Sequence, residues 1–152
     1  MIQKYLSCFV IVGFFVTITL MGSATFEKSF GIVDPNSVQS TNGGSLDVSI
    51  SPSPSQVINT NEDVKFKINF LEPGTDKIQV HVDYDFQVLN NGQEIFSASK
   101  QISQPLLHTA EGSVTIPYTF SSPGNYSINI PVLGINFVPI NPESAKFEFT
   151  VK

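Results

Sequence analysis

His81, Asp83 and Asp85 occupy alternate positions in the stretch His81-Val82-Asp83-Tyr84-Asp85. Alternate side chains of an extended strand leave the same face. The spacing therefore predicts one imidazole and two carboxylates in a row. His108, the only other histidine, falls in a predicted loop beyond the next hairpin. If that loop folds over the strand, two imidazoles and two carboxylates converge. Such a donor set suits Zn²⁺ or Cu²⁺. The competing reading is the wet face of an amphipathic strand, where His and Asp are ordinary residues.

Other chemistry is weaker. Ser is plentiful, but no Gly-x-Ser-x-Gly elbow occurs, and a nucleophilic hydrolase is not expected. Asp83 and Asp85 point the same way, as a glycosidase pair would, yet they lack a sugar-binding aromatic platform. Asn59-Thr60-Asn61-Glu62-Asp63 is the densest oxygen cluster. It lacks the spacing of a calcium loop and is expected to be a polar turn before a strand. Asn125-Tyr126-Ser127 is an N-glycosylation sequon, which makes Asn125 a candidate acceptor on an exported chain. The only Cys is Cys8, and the two Met residues are Met1 and Met21. Beyond those positions a disulfide, a thiolate zinc site and a blue-copper centre are excluded, since each requires Cys. The expected protein is not an enzyme, and its only candidate cofactor is copper or zinc.

The elements that must carry these residues are strands. Hydrophobic residues recur at every second position from Leu46 onward, the period of a half-buried strand. Leu46, Val48 and Ile50 form one such set. Val64, Phe66, Ile68 and Phe70 form another, and Ile78 through Val88 a third. Asn91-Gly92 predicts a tight hairpin into a strand near residues 94–100. Val114 to Phe120, Tyr126 to Val132 and Phe147 to Val151 complete the count. About seven strands follow, with no helix between them. One buried face per strand implies two sheets packed face to face. Pro117 and Pro131 fall on outward positions and predict sheet edges or bulges. The stretch 133–142 is unusually apolar for a loop. Phe137, Val138 and Ile140 are thus candidates for an interface, unless the strand simply continues past a Gly bulge with its prolines tucked onto the sheet end.

Pro123-Gly124-Asn125-Tyr126-Ser127-Ile128 resembles the step that opens a late strand in immunoglobulin-like domains, where a Tyr closes the corner between two sheets. The resemblance implies an all-β, immunoglobulin-like two-sheet sandwich over residues 46–152, without the core Cys and Trp of antibody domains. The pairing of His81-Val82-Asp83-Tyr84-Asp85 with Leu107-His108-Thr109-Ala110-Glu111-Gly112 is similar to small exported surface proteins of ammonia-oxidising archaea. A sandwich is a scaffold with many uses and does not itself imply an activity.

Lys4 precedes an apolar run from Tyr5 to Met21, and Gly22-Ser23-Ala24 follows. A positive start, an apolar core and a small-residue exit are the marks of an export signal. Residues 1–24 are expected to be a signal peptide cleaved after Ala24. The second reading is an uncleaved anchor helix through residues 5–21 of the cytoplasmic membrane, with Lys4 inside. Residues 25–45 read as a flexible spacer. The formal net charge is −5, and all basic residues are Lys. Nucleic acid is a poor partner for such a chain, and contact with the membrane is expected only through the N-terminal segment. The expected role is a non-catalytic structural or protein-binding module, extracellular or at the cell surface, engaging other cell-envelope proteins. Two alternatives are an extracytoplasmic copper or zinc protein and an accessory subunit of a membrane enzyme complex.

Overall fold

The structure is a computed structural model and describes residues 37–54 and 57–152. The expected signal or anchor helix of residues 1–24 lies outside the described residues, as does the start of the expected spacer. Among the described residues, no helix is long and apolar enough to cross a membrane.

The described chain is mostly strand, arranged as two packed sheets. Period-two alternation forms the first. β1 (Ser37–Ser40), β2 (Asp47–Ser53), β3 (Asp63–Leu71) and β8 (Ser113–Thr119) pair antiparallel in the order β1-β2-β3-β8. The second sheet contains β4 (Val82–Tyr84), β5 (Gln87–Asn90), β6 (Gln93–Ser97), β7 (Leu107–Thr109), β9 (Gly124–Ile135) and β10 (Val138–Val151). β4 and β5 pair with successive stretches of β9, so they lie end to end along one side of it. β10 runs along the other side. β7 flanks β4 and β6 flanks β5 in the same end-to-end fashion.

The core lies between the layers. Val48, Ile50, Val64, Phe66, Ile68 and Phe70 face it from the first sheet, and Ile128, Ile130, Val132, Phe147 and Phe149 from the second. Phe66 is the hub, with ring centroids 5.6 Å from Phe86 and 5.5 Å from Phe149. Each such side chain contributes about 1.5–3 kcal/mol on burial, which explains how the layers hold without a disulfide.

Three sequence expectations are altered. First, Ser37–Ser40 pairs with β2, and the turn after it is tied to β10. Thr41 Oγ1 donates to the buried Glu143 at 2.9 Å, and Asn42 N donates to Ser144 O. Residues 37–45 therefore belong to the folded body and not to a spacer. Second, the strand expected across Ile78–Val88 is interrupted. His81 adopts φ 53°, which turns the chain before β4. Ile78 and Val80 lie ahead of that turn and are 37% and 42% exposed, not core. Third, the strand expected to reach Lys100 stops at Ser97. Ser97 caps the single helical turn α1 (Ala98–Gln101), accepting from Lys100 N.

Pro117 and Pro131 sit at an open edge and at a strand break. Gly112 O and Phe120 O accept from Phe70 N and Asn61 N, which fixes the ladder phase of β8. Pro117 then turns its nitrogen away from β3, toward the open edge. Pro131 lies in the long central strand β9, opposite the break between β4 and β5, where its carbonyl accepts from Asp85 N at 3.0 Å.

Candidate functional site

The predicted metal quartet separates into a group of three and a buried outlier. His108 is not in a loop. It lies in β7, directly opposite Asp83 of β4 in the antiparallel register. Cross-strand neighbours are the closest pairs a sheet makes. His108 Nδ1 lies 2.7 Å from Asp83 Oδ1. His81, held at the mouth of β4, brings its ring centroid to 5.7 Å from that of His108. Its backbone is fixed at both ends, with His81 N donating to Ala110 O and His81 O accepting from Asn136 N at 2.8 Å.

Asp85 is a correction to the expected set. The break between β4 and β5 disturbs the alternation, so Asp85 turns inward and is only 5% exposed. Its carboxylate accepts from Ser97 Oγ at 2.7 Å, Ser99 N at 2.9 Å and Phe86 N at 2.8 Å. Those bonds fasten α1 and the strand break together, which is a structural task. Among the described residues, no three His, Cys, Asp or Glu side chains are placed to hold one metal ion together.

The apolar stretch 133–142 is a strand, a turn and a strand. β9 and β10 close on the pair Ile135↔Val138, leaving Asn136-Phe137 as a two-residue turn with φ 51° and 64°. Asn91-Gly92 makes the same kind of turn between β5 and β6, with φ 50° and 79°. Two positive φ values define the type I′ hairpin, for which Asn-Gly is the preferred sequence. At the second turn a phenylalanine stands where the first has glycine. A side chain with a β-carbon costs about 1–2 kcal/mol in that conformation.

The Phe137 ring closes the histidine group. Its centroid lies 4.3 Å from His81 and 5.5 Å from His108. Even so, the residue is 69% exposed, and Val138 beside it is 61% exposed. Ile140, the third predicted interface residue, is only half-buried and packs against the core. Gly134 makes the cluster possible from below: a β-carbon there would stand 2.5 Å from Asp83 Oδ2. Gln79 Nε2 steadies the turn by donating to Asn136 Oδ1 at 3.1 Å.

Asn125 is exposed and opens β9 opposite Thr150, whose hydroxyl donates to Asn125 Oδ1 at 3.0 Å. Ser127, the hydroxyl residue of the sequon, is buried at 6% exposure. The sequence reading missed the joining of Phe137 to the histidines and the need for Gly134. The available signal was the likeness of Asn136-Phe137 to Asn91-Gly92, each two residues between alternating strands.

Compared with protein-family models, curated protein sequences and solved structures, the chain has no match.

Proposed function

We propose that this chain is an exported, non-catalytic binding module that holds a cell-envelope protein through the tip of the β9–β10 hairpin. One observation carries the reading. Phe137 occupies a position where glycine would relieve the backbone, and it leaves most of its ring in water. Strain kept at a surface aromatic is a mark of a functional position. Exposed Phe beside exposed Val138 has the character of an interface anchor ringed by polar groups. Val80 adds a third exposed apolar side chain next to His81.

The fold proposed is immunoglobulin-like. Its support is the layer order and the corner tyrosine, whose Oη donates to Ser122 O at 2.8 Å. Export is supported by Lys4, the apolar run and Gly22-Ser23-Ala24. The reading is tested by cross-linking the full chain in native membranes, comparing wild type with Phe137→Gly and Val138→Ser. Loss of the cross-linked complex is expected while each variant keeps a single cooperative unfolding transition. A complex that survives both substitutions refutes the hairpin tip as the contact.

A further inference from the structure

We propose that His81 and His108 together bind one divalent transition-metal ion, Cu²⁺ or Zn²⁺, with Asp83 as the positioning residue. Three observations lead there. Asp83 engages the Nδ1 side of His108, the carboxylate–histidine pairing that fixes ring orientation and tautomer and reserves Nε2 for a ligand. His81 Nδ1 is buried and has no hydrogen-bond partner among the described residues. A buried ring nitrogen without a partner is costly unless something else satisfies it. The rings also have suitable spacing, at 5.7 Å between centroids. Two imidazoles sharing one ion at about 2.0–2.1 Å from each nitrogen bring their centroids about 5–6 Å apart.

Phe137 packs against both rings and keeps water from one side of the pair. Two imidazoles leave the rest of the coordination shell to water, so Cu²⁺ is expected to bind more tightly than Zn²⁺. Asp85 takes no part, because its carboxylate is committed to Ser97 and Ser99. The proposal does not rest on the protein-partner reading, since the ion needs only this chain.

The test is titration of the purified full chain, carrying no affinity tag, with CuCl₂ and ZnCl₂ by calorimetry, followed by paramagnetic resonance of the Cu²⁺ form. One ion per chain with two imidazole nitrogens in the spectrum is expected. His108→Ala should weaken binding at least tenfold. His81→Asn should do the same while tolerating the positive φ. Asp83→Asn should weaken it about 10–100-fold. Circular dichroism of each variant reports the fold separately. Cu²⁺ affinity equal to wild type in folded His108→Ala, or a wild-type spectrum without two imidazole nitrogens, overturns the proposal. Loss of the envelope complex on Phe137→Gly with Cu²⁺ binding retained supports both readings as separate properties of the hairpin end.

Discussion

Replacing Phe137 isolates the cost of its backbone. In Phe137→Ala the β-carbon remains at φ 64°, so the conformational penalty stays while the ring contacts go. In Phe137→Gly the contacts go and the penalty goes with them. Both variants lose the ring pairs to His81 and His108, worth about 0.5–1.5 kcal/mol each. That loss cancels in the comparison. Releasing the left-handed conformation contributes about 1–2 kcal/mol. The greater freedom of glycine in the unfolded chain offsets about 0.4–1 kcal/mol of it. Phe137→Gly should therefore be the more stable of the two by about 1 kcal/mol. For a domain of this size that is a difference of about 4 °C in Tm. Urea and thermal unfolding followed by circular dichroism and tyrosine emission measure it, as the chain has no Trp. The twin turn supplies a control: Gly92→Ala, at φ 79°, should lose about 1 kcal/mol for the same reason. Equal stability of the Ala and Gly variants at position 137, or an advantage for Ala, would refute the claim that the turn is strained.

Asp85→Ala leaves the buried Ser97 hydroxyl and Ser99 N–H without their acceptor, and denaturant unfolding should show a loss of about 3 kcal/mol. Gly134→Ala drives a methyl into Asp83, so the His108 imidazole NMR shifts should move toward those of Asp83→Asn, with about 1–3 kcal/mol lost. Tyr126→Phe removes the bond to Ser122 O and should cost about 1 kcal/mol in urea unfolding. Burial, and after it the charge of Asp85, pushes the Tyr84 phenol up to about 12. Folding thus favours the protonated phenol. Its contribution is complete below the ordinary tyrosine range near 10 and fades as pH rises toward 12. Unfolding curves of Tyr84→Phe should lack that alkaline decline.

The layers follow from the sequence because burial has a two-residue period. Val64, Phe66, Ile68 and Phe70 fall inward as their spacing requires. The Asn91-Gly92 hairpin forms where its left-handed preference places it. What alternation cannot convey is where it is suspended. His81 at positive φ and the break at Asp85 both change which face the next residue takes, and neither carries a glycine or proline to announce it. Alternation therefore places Ile78 and Val80 in the core and Asp85 on the surface, the reverse of where the structure has them. The meeting of His108 with Asp83 depends on register between strands far apart in sequence, a property that no local pattern encodes. The same blindness leaves residues 133–142 open between a contact loop and a continuing strand, because Phe137 conceals a turn that Gly92 discloses in its twin.

The link from Thr41 to Glu143 has a mechanical side. It crosses from the turn behind β1 to the far layer, while Asn42 also bonds Ser144 in both directions. Tension on the polypeptide ahead of Ser37 would first reach the short β1–β2 ladder, and then this knot. Load is thereby passed to β10 and on to β9, the longest pair of strands among the described residues. The knot meets β10 where Glu143 pairs with Val132, close to the Ile135↔Val138 closure that carries Phe137, so a pull and a grip would meet near the same end of one stiff pair.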